Sequence, residues 1–219
     1  MNLRYLLLIT SCLAFGSTAA SAKNFYVGLN AGIADQSGSF SIIDSRLNPG
    51  VGITGPKDYL FPDDSASTFS LLAGYKLGAD MALEVGVANN AEIEGSSRAL
   101  SATETALEKV ESNYLYTAFV GVWPMQHGWT ISGRLGFSIW DIDFTQTVTD
   151  TAVPTDVLRV ERLSDTTTVM FFGVGASYGL TSDIELKISI EQHNVGYEFT
   201  NVELDDDVLL TTLGVAYHF

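Results

Sequence analysis

The chain has 219 residues, 46% of them hydrophobic, yet it carries 26 acidic against 11 basic side chains, a formal net charge of −15. Negative charge of this size excludes a nucleic-acid partner, whose phosphates recruit Lys and Arg. A single cysteine excludes an intramolecular disulfide, and no stretch after the N-terminal segment reaches the ~18 consecutive apolar residues of a helical membrane span.

Residues 1–22 read as a cleaved signal peptide. Arg4 supplies the positive start, Tyr5 to Gly16 the apolar core, and Ala20-Ser-Ala22 a small-residue cleavage site. Ile9-Thr-Ser-Cys12 also resembles a lipoprotein processing box. That reading leaves too short an apolar core, since a functional one needs roughly 7–15 residues. Cleavage after Ala22 removes Cys12 and leaves residues 23–219 as one domain with 10 basic and 26 acidic side chains.

After the signal, eight stretches alternate apolar with small or polar residues, the period of a strand with two unlike faces. They are Phe25–Ala34, Thr68–Leu77, Met81–Ala88, Val110–Trp123, Trp129–Trp140, Thr166–Tyr178, Ile184–Glu191 and Val208–Phe219. The fourth is the least clean. Tyr114, Tyr116, Ala118, Val120 and Val122 read as its apolar face, against Leu115, Thr117, Phe119 and Gly121. The connections alternate between long ones (35–67, 89–109, 141–165 and 192–207) and turns of a few residues. Short turns at one end and long loops at the other are the pattern of an outer-membrane barrel, and an even strand count puts both termini in the periplasm. A soluble sandwich has no reason to gather its long loops at one end.

Three features agree with that register. The strand-embedded charges Lys76, Glu84, Arg134, Glu185, Lys187 and Glu191 all fall opposite the apolar face, as expected where a lipid-facing charge costs about 2–4 kcal/mol at the midplane. Tyr75, Trp123, Trp129, Tyr178, Tyr217 and Phe219 gather beside the short turns, and Phe69, Tyr114, Trp140, Phe144 and Phe171 toward the long loops, which reads as two aromatic girdles. Glycines 28, 32, 74, 86, 121, 136, 175 and 214 read as inward, leaving room in a narrow lumen.

The stretches Phe25-Tyr-Val-Gly-Leu-Asn-Ala-Gly32, Ser132-Gly-Arg-Leu-Gly-Phe-Ser138, Gly173-Val-Gly-Ala-Ser-Tyr-Gly-Leu180 and Leu213-Gly-Val-Ala-Tyr-His-Phe219, in this order, resemble the OmpA/OmpX-type outer-membrane barrels of the outer membrane protein β-barrel domain family. The resemblance implies an all-β fold: an eight-stranded antiparallel up-and-down transmembrane β-barrel in the Gram-negative outer membrane. It also implies that Tyr217 and Phe219 form an assembly signal read by the barrel-assembly machinery, with periplasmic chaperones as further biogenesis partners. A peptidoglycan-binding domain, present in longer members, has no counterpart before the chain ends at Phe219.

Six side chains are candidates for a lumen ion network: Lys76, Glu84, Arg134, Glu185, Lys187 and Glu191, with Glu111 as a further member. Such charges either pair in a closed lumen or line a gated ion path. The acidic stretch Asp205-Asp206-Asp207 is either a solvated surface or a site for loosely bound Ca²⁺ or Mg²⁺, because carboxylates suit those cations, although no EF-hand spacing is present. No other cofactor or defined metal is expected. Arg159 and Arg162 could contact lipopolysaccharide phosphates. Histidines 127, 193 and 218 are the groups to weigh for catalysis. Lipid A deacylase barrels use a His-x-Ser with a glutamate partner, whereas here His193 is followed two residues on by Val195, so the nucleophile is missing. The expected function is a non-catalytic structural and surface-interaction role in the envelope, with outer-membrane lipid and lipopolysaccharide as partners, as a monomer. The alternative is a narrow ion channel or a carrier of small hydrophobic ligands.

Overall fold

The computed structural model describes residues 24–36, 65–94, 98–99, 103–150, 157–199 and 202–219. The signal segment therefore lies outside the described residues, as does most of the first long connection. Eight strands make the wall: β1 (Phe25–Gln36), β2 (Ser65–Lys76), β3 (Met81–Glu94), β4 (Glu104–Pro124), β5 (Trp129–Asp150), β6 (Val157–Gly179), β7 (Ile184–Phe199) and β8 (Val202–His218). A two-residue strand, Arg98–Ala99, pairs with Thr105 and Ala106 of β4. Each strand pairs antiparallel with its sequence neighbour, β3 with β4 included. Pairing of β1 with β8, from Tyr26 opposite His218 to Gln36 opposite Val208, closes the sheet. Closure leaves the membrane-spanning part of the sheet without an edge, which lipid requires because it cannot hydrogen-bond backbone groups.

The alternation places the two faces as a membrane barrel needs. On β2 the even-numbered residues from Ala66 to Gly74 are buried, while Phe69 stays 55% exposed. Leu135, Phe137, Leu213 and Val215 likewise face out. On the outer wall, paired rows run from Trp123–Ile131–Ala176 to Leu115–Ile139–Thr168. The eight residue steps between these rows, at ~3.3 Å per step and a ~40° tilt, span roughly 20 Å, close to the ~25 Å apolar band of outer-membrane barrels. Tyr75, Trp123, Trp129, Tyr178, Tyr217 and Phe219 stand exposed at the turn end of that band, and the Trp129 and Tyr178 rings pack 5.1 Å apart.

Three sequence expectations are corrected. First, the faces of β4 are inverted: Tyr114, Tyr116, Ala118 and Val120 are buried, whereas Phe119 is 45% exposed. The partner strand decides this. Tyr116 pairs with Ser138 and Val120 with Arg134, and paired residues share a face. Gly121 accordingly belongs to the outer face. Second, Tyr114, Trp140, Phe144 and Phe171 are buried in the lumen and form no outer girdle; of the five aromatics, only Phe69 faces out. Third, three of the long loops are largely strands among the described residues. β3 and β4 stay paired as far as Glu94 opposite Lys109, β5 and β6 as far as Thr149 opposite Val157, and β7 and β8 as far as Phe199 opposite Val202. Charged residues mark where the lipid band ends. They do not end a strand, because backbone pairing continues in water.

Candidate functional site in the lumen

Tight packing inside begins with glycine. A Cβ on Gly74 would clash with the Tyr26 ring, and one on Gly86 with the Tyr116 ring. These two glycines let tyrosines lie flat across the lumen.

The tyrosines flank an ionic layer. Arg134 of β5 is its centre: Nη2 reaches Glu84 Oε2 of β3 at 2.6 Å, and Nη1 pairs with Glu191 of β7. Lys187 Nζ lies 2.9 Å from Glu84 Oε1, which also accepts a hydrogen bond from the Tyr26 hydroxyl at 2.6 Å. The Arg134 guanidinium sits 5.3 Å from the centre of the Tyr116 ring, and Lys187 Nζ 5.4 Å from that of Tyr26. Glu84 is fully buried, and Arg134 and Glu191 nearly so. Buried carboxylates are tolerated here because each has a cation and further donors. The four formal charges of this layer cancel.

The structure thus joins Glu84, Arg134, Lys187 and Glu191. Glu185 stands apart, nearer the turns, where it accepts from the Ser177 hydroxyl and lies 2.8 Å from His218 Nε2. Lys76, at the end of β2, is partly exposed and takes part in no ion pair among the described residues. Glu111 is exposed on the outer face of β4 and is no member of the lumen network. Asp205, Asp206 and Asp207 are consecutive residues of β8, opposite Gly196, Val195 and Asn194, so they do not form a loop. Asp207 accepts a hydrogen bond from Asn194 Nδ2 at 2.7 Å; the side chains of the other two lie outside the described ones. Among the described residues no three His, Cys, Asp or Glu side chains gather as a metal site.

Toward the long hairpins an aromatic layer follows. Trp140 and Tyr114 stack at 4.4 Å, and His193 stacks on Phe171 at 4.4 Å with the rings nearly parallel. Trp140, Phe171 and His193 are all fully buried. His193 Nδ1 lies 3.0 Å from Ser138 Oγ, which accepts the indole N–H of Trp140 at 2.9 Å. Sequence reading missed Ser138 as a partner of His193, because 55 residues separate them and only the β5–β6–β7 register brings them together. Ser138 is 1% exposed.

A family model for the outer membrane protein beta-barrel domain matches residues 5–219. The chain belongs to that family. Comparison with curated proteins by sequence finds no match. Among solved structures, this outer-membrane barrel is similar to the Neisserial surface protein A (NspA), with a TM-score of 0.57 and 14% identity over 89% of this chain and 97% of that one. The outer membrane protein OprG from Pseudomonas aeruginosa gives a TM-score of 0.50 at 10% identity, over 90% and 98%. A major outer membrane protein from Thermus thermophilus gives 0.50 at 12%, also over 90% and 98%. At these identities the likeness is one of fold.

Proposed function

We propose that this protein is a non-catalytic outer-membrane barrel that reinforces the envelope and meets other surfaces through its projecting hairpins. One observation carries the reading: the lumen is filled by a paired ionic layer and an aromatic layer, while β5, β6, β7 and β8 continue as paired hairpins beyond the apolar band. A filled lumen argues against steady conduction and against an internal ligand. The projecting strands offer a surface instead. In this arrangement the turns and both termini face the periplasm and the hairpins face outward. Above the apolar band the outer wall carries Asn113, Asp141 and Thr166, then Glu111, Asp143 and Ser164, then Lys109, Thr145 and Arg162. Such a mixed row suits lipopolysaccharide headgroups, with Arg162 toward phosphate and carboxylates toward loosely held Ca²⁺ or Mg²⁺.

The test compares a deletion strain carrying the full barrel with one in which the β5–β6 hairpin is cut back to a tight turn at Thr145 and Arg162. Equal membrane levels with loss of surface attachment support the reading. Equal attachment overturns it. A steady current through the purified wild-type barrel in a planar bilayer would replace it with the channel alternative.

A further inference from the structure

His193 joins the two layers of the lumen, and we propose that it is a proton-operated lock: proton uptake by its ring moves Glu191 from Arg134 to His193 and loosens the aromatic cap.

The geometry is specific. His193 Nδ1 is engaged with Ser138 Oγ at 3.0 Å. Nε2 is buried without a hydrogen-bond partner among the described residues, and Glu191 Oε2 lies 3.8 Å from it. That gap is about 1 Å longer than a charge-assisted hydrogen bond. Glu191 itself is shared: its Oε1 takes Arg134 Nη1 and the Ser189 hydroxyl, the latter at 3.1 Å.

The groups around the ring are few. β4 contributes the Tyr114 phenol, with ring centres 5.4 Å apart, and β6 only Phe171. β5 contributes Ser138 and Trp140, with Arg134 one layer away, and β8 places Val208 opposite. Glu191 is thus the anion available to an imidazolium, and Arg134 is the cation opposing it.

Charging the ring makes both nitrogens donors. Nδ1 then donates to Ser138 Oγ as the hydroxyl rotates, and Nε2 donates to Glu191. The proton comes from water, and no other bond changes. Arg134 gives up one carboxylate but keeps Glu84 at 2.6 Å, so neither charge is stranded. Closing the gap to Glu191 draws the imidazole off the parallel stack with Phe171. Trp140 feels that shift, because its ring meets the imidazole edge-on at 5.4 Å.

The test uses the full mature barrel refolded in nanodiscs, with ¹⁵N-labelled histidine. Between about pH 7.5 and 5, the window in which imidazoles charge, the His193 ring signals should move from neutral to imidazolium. Trp140 emission should fall in step, and its indole N–H should exchange faster. Replacing Trp123 and Trp129 by Phe leaves Trp140 as the one tryptophan, so the emission change is assigned to it. The His193→Phe variant keeps the stack and should lose the pH-dependent change at Trp140. Should that variant fold poorly, His193→Gln fills the same place, and the wild-type titration stands without either. A His193 ring that stays neutral to about pH 4.5, or a Trp140 response that survives in His193→Phe, overturns the proposal.

Discussion

Two ion clusters of similar composition sit at different depths. In the lumen, Arg134 meets Glu84 and Glu191 with almost no solvent, and Lys187, partly exposed, meets Glu84. On the β3–β4 hairpin, Lys109 meets Glu92 at 2.6 Å and Glu94 at 3.5 Å, with about a third or more of each side chain exposed. The chemistry is the same and the consequence is opposite. Water screens the outer cluster and refills it when a partner is lost. Nothing refills the inner one, so each partner there is obligatory.

The sharpest way to break this comparison is to remove the inner cation. Arg134→Ala strands the buried Glu191 and leaves Glu84 with Lys187 as its one cation, and should destabilise the barrel by about 3–5 kcal/mol, read as a lower urea midpoint for the folded, heat-modifiable band. Glu191→Gln in that background should recover much of the loss, since the stranded charge is gone while Glu84 keeps Lys187. A smaller effect tests the packing around the cluster without touching a charge. Gly74→Ala pushes a methyl into the Tyr26 ring and should cost about 1–3 kcal/mol by overpacking, again as a urea shift. Tyr26 then also loses its bond to Glu84.

Deleting Phe219 removes its N–H···O bond to the Phe25 carbonyl at 3.0 Å and its ring contacts with Phe25 and Tyr217. The assembled barrel should lose only about 1 kcal/mol. If Tyr217 and Phe219 are the assembly signal, the amount inserted falls much further, as a membrane-fraction blot would show. Normal levels would count against that role.

The outer cluster should give the smallest effect. Lys109→Ala should leave the urea midpoint at neutral pH unchanged within error. Its pH signature still has a sign. The hydrogen bond with Lys109 holds Glu92 below the usual carboxylate range, and the same bond raises Lys109. The Glu92 contribution is present above the ordinary carboxylate pKa and lost as pH falls through its lowered value. The Lys109 contribution is present below the ordinary lysine pKa and lost as pH rises through its raised value. Any wild-type advantage over Lys109→Ala is therefore confined to roughly pH 4 to 10.

Much of this arrangement is legible in the residues alone. Lys187, Arg134 and Glu84 occupy positions of fixed parity in strands whose other parity is apolar, so their inward direction follows from alternation. The strand count and the seam between β1 and β8 follow from the same period and from the alternation of short and long connections. β4 escapes this logic. Both of its faces are greasy, and Tyr114 reads as well toward lipid as toward a lumen. Asp141 to Asp165 escapes it too, because a threonine-rich, charged strand in water has the composition of a loop.

By itself, then, the sequence determined that the chain is a closed wall with charges inside, because a period of two leaves a lipid-facing strand no other place for them. Only the tertiary structure decided which charges meet and what closes the lumen. Arg134 finds Glu84 and Glu191 across 50 and 57 residues, and His193 finds Ser138 across 55. Such pairs depend on strand register and barrel stagger, which no local pattern encodes. The facing of β4 depends on the same cause: Tyr114 and Tyr116 turn inward because their partners on β5 already do.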